Sequence, residues 1–261
     1  MKRIEINDVT IGYDTSVIVK ELTASIGAEK ITSIIGPNGC GKSTILKTIG
    51  RVMKPQEGSI YLNGEDIHKM PTKELAKKMA ILPQTPSAPS GLTVYELVAY
   101  GRFPYQKGFG KLTNEDKEMI EWALDVTKLT LFSLREIDSL SGGQRQRVWI
   151  AMALAQQTEL ILLDEPTTYL DLAHQLEILE LLAELNISAK TTIVMVLHDL
   201  NLAARFSDYL IAVRSGSVIA SGEVSDVMTP EVLEEVFQIK ADIVIEPHTK
   251  RPVCLTYNLI K

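Results

Sequence analysis

Gly36-Pro37-Asn38-Gly39-Cys40-Gly41-Lys42-Ser43 has the spacing G-x-x-x-x-G-K-[ST], with Thr44 next in the chain. That pattern suits phosphate binding. Backbone N–H groups of the loop and of the helix that follows cradle the anion, Lys42 reaches the outer phosphates, and Ser43 offers Mg²⁺ an oxygen. A second group is Leu160-Ile161-Leu162-Leu163-Asp164-Glu165, an apolar run closed by two acids. At the carboxyl edge of a sheet, Asp164 is suited to hold Mg²⁺ and Glu165 to accept a proton from an attacking water. A third is Leu140-Ser141-Gly142-Gly143-Gln144, which offers a hydroxyl, two unhindered glycine amides and a helix start to a second anion. Taken alone, the acids serve equally well as helix caps, and Ser141 as an N-cap over a flexible turn.

The elements needed to position these groups are legible around them. Ile31 to Ile35 reads as a buried strand running into the glycine-rich loop, and Ile45, Leu46 and Ile49 recur beyond it at helical spacing. At the start, Ile4 and Ile6, then Val9 and Ile11, keep two-residue spacings, and Val17-Ile18-Val19 follows a Gly12-Tyr13-Asp14 turn; this predicts short antiparallel strands. Pro71 to Lys78 reads as a short helix and Ile81-Leu82 as a strand, ahead of a passage broken by Pro83, Pro86 and Pro89. Residues Thr93 to Trp149 read as mainly helical, Leu160 to Leu163 as a strand, Leu172 to Leu185 as a helix and Thr192 to Leu197 as a strand. Strands alternating with helices predict an α/β fold with a mostly parallel sheet, interrupted by a helical insert.

Composition narrows the setting. With 261 residues, 45% of them hydrophobic and 23% charged, the chain can bury a substantial core. A net charge of −6 argues against nucleic acid as the main partner, since phosphate neutralisation needs a surplus of Lys and Arg. The longest uninterrupted apolar run, Val148 to Ala155, is far short of the roughly 20 residues of a membrane helix. No apolar run follows Met1-Lys2-Arg3-Ile4-Glu5, so a cytoplasmic protein without a secretory signal is expected. Cys40 and Cys254 lie far apart and are expected to be reduced thiols.

Leu-Ser-Gly-Gly-Gln between a P-loop and an Asp-Glu strand resembles the signature motif of ATP-binding cassette (ABC) ATPases, and the resemblance extends over nearly the whole chain. It implies one P-loop NTPase cassette over residues 1–261, with an N-terminal antiparallel β-subdomain, a helical signature-motif subdomain at about 90–155 and a small C-terminal segment at about 222–261. It places Tyr13 where the family stacks an aromatic on adenine, Gln84 at the Q-loop beside Mg²⁺ and water, Asp171 at the D-loop and His198 at the switch that contacts the γ-phosphate. In that family two subunits pack head to tail, so that the P-loop of one and the signature motif of the other enclose each ATP. A homodimer hydrolysing ATP with Mg²⁺, attached to membrane permease subunits at the cytoplasmic face of the membrane, is thereby implied.

Three further stretches, Tyr100 to Tyr105, Tyr169 to Glu177 and Thr229 to Leu233, resemble the ATPases of iron-siderophore, haem and cobalamin importers, which also work with an extracytoplasmic substrate-binding protein. Tyr-Leu-Asp at the D-loop matches that group rather than the commoner Ser-Ala-Leu-Asp, and Cys40 stands where the loop often has Ser. The shortness of the chain past its closing segment also favours importers lacking an added regulatory domain. Thr85 to Tyr105 is implied to help receive the permease's coupling helix. A cassette ATPase of DNA repair or translation fits less well, because no long coiled-coil insertion and no second cassette is present.

Overall fold

The computed structural model describes residues 2–13, 16–106, 111–168 and 170–260. Asp14, in the expected first turn, and Tyr169, in one of the importer-like stretches, lie outside the described residues. The elements run β1 (Lys2–Tyr13), β2 (Ser16–Gly27), β3 (Ile31–Ile35), α1 (Lys42–Ile49), β4 (Glu57–Leu62), β5 (Glu65–Asp66), α2 (Thr72–Lys78), β6 (Met79–Leu82), α3 (Val94–Ala99), α4 (Asn114–Val126), α5 (Gly142–Ala155) and β7 (Leu160–Asp164). They continue as α6 (Leu172–Ala189), β8 (Thr192–Val196), α7 (Leu200–Phe206), β9 (Tyr209–Arg214), β10 (Ser217–Glu223), α8 (Val224–Val227), α9 (Pro230–Phe237), β11 (Ile239–Ile245) and β12 (Pro252–Leu259). The chain forms two compact units, one made of Met1–Met70 and Thr192–Lys261, the other of Pro71–Thr191.

In the first unit an antiparallel sheet has the order β2-β1-β4-β5. Where the sequence suggested short strands, β1 and β2 are each 12 residues long. The reason is register: the pairing shifts between Ile6 and Val9, beside Asp8 in the left-handed region at φ 49°. A bulge of this kind restarts the inward–outward alternation, so one bent strand reads in sequence as two. The same unit holds β3 parallel to both β8 and β9, with β10 antiparallel to β9. All five residues of β3 and all five of β8 are buried, the pattern of parallel strands covered on both faces. The C-terminal residues add α8, α9 and the β11–β12 hairpin, with Pro230 at the first turn of α9 under a Thr229 cap.

In the second unit β6 and β7 pair in parallel, from Met79 opposite Leu160 to Leu82 opposite Leu163. The helical region is built of α3, α4 and α5 with 3-10 turns at Tyr100–Tyr105, Thr130–Phe132 and Ile137–Ser139. Its helices begin on reciprocal caps, Thr93 with Glu96, Thr113 with Asp116 and Ser141 with Gln144, each satisfying backbone donors that a helix start leaves open. Arg102, from the importer-like Tyr100–Tyr105 stretch, turns inward and is 1% exposed. Its Nε donates to Asp116 Oδ1 at 2.8 Å, its Nη1 donates to the Ala155 carbonyl at 2.9 Å, and its guanidinium lies 3.9 Å from the centre of the Tyr105 ring. Arg102 thus ties the turn after α3 to the start of α4 by an ion pair and to the end of α5 by a hydrogen bond. Among the described residues no helix is long and apolar enough to cross a membrane.

Candidate active site

Each of the two units carries its own part of the expected machinery. In the first, the buried β3 delivers the chain into the glycine-rich loop at Gly36. A β-carbon there would lie 2.1 Å from the Val213 carbonyl oxygen, so only glycine permits the loop to pass so close to β9. The helix α1 opens at Gly41 with no side chain capping it. Amides of an uncapped first turn, with the partial positive charge of the helix start, are a binding surface for an anion.

Lys42 is buried at 4% exposure, and its Nζ donates to the carbonyls of Gly36 and Pro37, both at 2.9 Å. The ammonium therefore braces the loop from within. Pro37 is half-buried, Asn38 and Gly39 are exposed, Ser43 is half-buried and Thr44 is buried in the first turn of α1. Cys40 is buried, its carbonyl accepts from the Gly216 amide at 3.1 Å, and burial pushes its thiol pKa up despite the nearby Lys42. Tyr13 closes β1 with half its surface exposed. His198 is exposed just past β8, immediately before Asp199, which caps α7.

In the second unit Asp164 ends β7 and is buried at 3% exposure. Glu165 follows with φ 53°, a left-handed conformation that a residue with a β-carbon adopts at some cost. The turn re-aims the second acid relative to the first. Gln84, from the loop after β6, donates from Nε2 to Glu165 Oε2 at 2.5 Å. Two residues that the sequence singled out separately, 81 positions apart, are therefore in direct contact. Thr168 Oγ1 also donates to Oε2, at 2.9 Å. Sequence reasoning missed Thr168; the available signal was a hydroxyl three residues after an acid, the spacing of a tight turn.

Ser141 stands at the start of α5, where its Oγ accepts from the Gln144 amide at 3.3 Å and Gln144 Oε1 accepts from the Ser141 amide at 3.0 Å. The bland reading of Ser141 as a helix cap is thus realised, while Ser141 and Gly142 stay exposed. Asp171 caps α6 through a bond from the His174 amide at 2.9 Å, and the same Oδ1 meets His174 Nδ1 at 2.7 Å. These hydrogen bonds, the backbone one foremost, hold the Asp171 carboxyl below the usual carboxylate range. His174, in turn, packs its ring against Gly143. His174 lies in the importer-like stretch Tyr169 to Glu177, but neither its bond to Asp171 nor its contact with Gly143 was anticipated from sequence.

Comparison with known proteins accounts for this set of motifs. Residues 19–168 match the family model described as "ABC transporter". The iron(3+)-hydroxamate import ATP-binding protein FhuC of Bacillus subtilis is 63% identical over 261 residues, covering 100% of this chain and 97% of the relative. Among solved structures, an inward-facing transporter assigned to the metal-chelate ABC type superposes with a TM-score of 0.84 at 28% identity, covering 100% of this chain and 98% of the other. The dimeric ATP-binding cassette MJ0796, bound to ADP and phosphate, superposes with a TM-score of 0.74 at 32% identity, covering 84% of this chain and 98% of that one. The parallel strands, the helical region and the P-loop match those expected of a cassette, and the chain belongs to the ABC transporter family as an ATP-binding subunit.

Proposed function

We propose that this chain hydrolyses ATP to drive import of ferric siderophores, hydroxamates foremost, as the nucleotide-binding subunit of a membrane transporter. The observation that carries the reading is 63% identity along the whole chain to a relative named for iron(3+)-hydroxamate import. The relative YusV of Bacillus subtilis, 51% identical, is named for siderophore transport as well.

The assigned roles follow the family pattern residue by residue. Residues 1–261 act as one cassette, with the helical subdomain at about 90–155 and the closing segment at about 222–261. Tyr13 stacks on adenine; Gly36 to Thr44 cradle the phosphates, with the Lys42 ammonium exchanging its loop carbonyls for phosphate oxygens. Ser43, Asp164 and Gln84 supply hydroxyl, carboxylate and amide oxygens, the hard donor set that Mg²⁺ prefers. When bound, Mg²⁺ neutralises charge on the phosphates. Glu165 accepts the proton of the attacking water, and His198 contacts the γ-phosphate.

Ser141, Gly142, Gly143, Gln144 and Asp171 serve the ATP held by a second copy, in a head-to-tail homodimer whose two-fold symmetry closes two such sites. Phosphate binding then becomes closure of the pair, and closure moves permease subunits at the cytoplasmic face of the membrane. The exposed Tyr100 and Phe103 sit in the stretch implied to meet the permease, and an extracytoplasmic binding protein presents the siderophore.

The test is co-purification from solubilised membranes of the native source, using a tagged Glu165→Gln chain with ATP, together with radiolabelled iron uptake in cells lacking the chain. Recovery of a polytopic permease and loss of ferric hydroxamate uptake support the reading. A soluble partner in place of a permease, or undiminished uptake of every siderophore class, overturns it.

A further inference from the structure

Oε2 of Glu165 receives two hydrogen bonds from different parts of the second unit, and the two donors differ in kind. Gln84 reaches it from the Pro-rich loop at 2.5 Å, on a long side chain whose exposed position allows it to turn elsewhere. Thr168 reaches it at 2.9 Å from within the same turn, and the Thr168 amide also donates to the Glu165 carbonyl at 3.2 Å. One residue therefore holds both the main chain and the side chain of Glu165. That hold matters because Glu165 sits at φ 53°, a backbone conformation that persists only where the surrounding structure fixes it. Threonine suits such a role because two heavy atoms on its β-carbon restrict the first torsion, so the hydroxyl direction is fixed once the backbone is set.

We propose that Thr168 is a positioning residue for ATP hydrolysis, its hydroxyl orienting the Glu165 carboxylate toward the attacking water. The inference rests on the reading of Glu165 as the proton acceptor. A base has to lie within about 2.6–3.2 Å of the proton it takes, and a misplacement of about 1 Å costs on the order of 100-fold in rate. Gln84 holds the carboxylate from an exposed loop, whereas Thr168 holds it from within the turn that Glu165 itself begins. Loss of the Thr168 hydroxyl removes that inner hold and leaves the phosphate-binding residues untouched.

The experiment compares Thr168→Val, Thr168→Ala, Thr168→Ser and Glu165→Gln in the full chain, measuring kcat and KM for ATP, equilibrium binding of a fluorescent ATP analogue, and the thermal unfolding midpoint. Loss of one hydrogen bond to a charged group predicts a kcat about 10-fold lower in Thr168→Val, with KM and analogue binding unchanged. Thr168→Ser should recover most of that loss because it restores the hydroxyl. Thr168→Ala serves as the hydroxyl-free variant if valine lowers the unfolding midpoint. Wild-type kcat in the hydroxyl-free variants, or a serine variant as slow as valine, overturns the inference. If those results come with an inactive Glu165→Gln, the positioning role alone is refuted; an active Glu165→Gln refutes the reading of Glu165 itself.

Discussion

A β-carbon added to Gly143 would lie 2.6 Å from Cδ2 of His174 and 3.3 Å from its Nε2. The ring occupies the space that any other residue in the signature motif would claim, and Asp171 holds the ring there. Gly143→Ala must therefore displace either His174 or the first turn of α5. The His174 side chain is half-exposed and can turn aside at the expense of its bond to Asp171, so the cost is on the order of 1 kcal/mol, the low end of overpacking. We expect Gly143→Ala to lower stability by that order and His174→Ala in the same chain to restore most of it, as read by urea unfolding. Equal losses in the single and double variants would show that the clash is not with His174.

Lys42→Ala removes the ammonium that donates to Gly36 and Pro37 at 2.9 Å and is assigned to the outer phosphates. A charge-assisted hydrogen bond contributes about 1.5–3 kcal/mol, which is roughly a 10- to 100-fold loss of ATP affinity. Equilibrium titration with ATP checks this, and an unaltered affinity would contradict the assignment.

The Arg102–Asp116 pair is predicted to hold up the helical region. Removing one partner of a buried ion pair leaves the other charge uncompensated, at about 3–5 kcal/mol. Arg102→Met should destabilise the chain by that order, and the paired change Arg102→Met with Asp116→Leu by markedly less. Denaturant titration of the three proteins would disprove the pairing if the double variant were the least stable.

The same pair sets an acid dependence. Burial alone would raise the Asp116 carboxyl, but the hydrogen bonds from Arg102 and Thr113 outweigh it and leave the pKa below its ordinary value. A carboxyl with a depressed folded pKa adds stability that is complete above the unfolded value of about 3.9 and is lost as pH falls through the folded one. Wild-type stability should thus drop below about pH 4 more steeply than that of the paired variant. Parallel slopes in pH-dependent unfolding would refute it.

Cys40 is buried at 5% exposure and its thiol pKa is raised, so little thiolate is present near neutral pH. Maleimide labelling of the native chain at about pH 7 should be slow at Cys40 and fast after denaturation, as followed by mass spectrometry of the tryptic peptide. Rapid native labelling would mean that the loop opens often.

The sequence was most readable where one local pattern dictates one local structure. The P-loop stands between β3 and α1, the apolar run before Asp164 forms β7, and Ser141 opens α5, each where the local pattern predicted a strand end or a helix start. Strand β1 was less readable, because the bulge beside Asp8 breaks its alternation. Contacts between distant positions were not readable from spacing; only the family resemblance put Gln84 and Glu165 beside the same water. Nothing in sequence spacing indicates that Gln84 reaches Glu165, that Arg102 turns inward to Asp116, or that His174 fills the space beside Gly143. Such contacts depend on which elements the topology makes neighbours, information that no local periodicity contains.

The brace inside the P-loop has a consequence for timing. Because the Lys42 ammonium already closes the loop on its own carbonyls, the ordering entropy of those residues is lost during folding rather than at ligand arrival. On the proposed reading, a nucleotide meets a P-loop that is already ordered, and Lys42 has only to exchange one set of oxygen acceptors for another. First contact with the loop should then be fast, and whatever the second copy contributes comes after it.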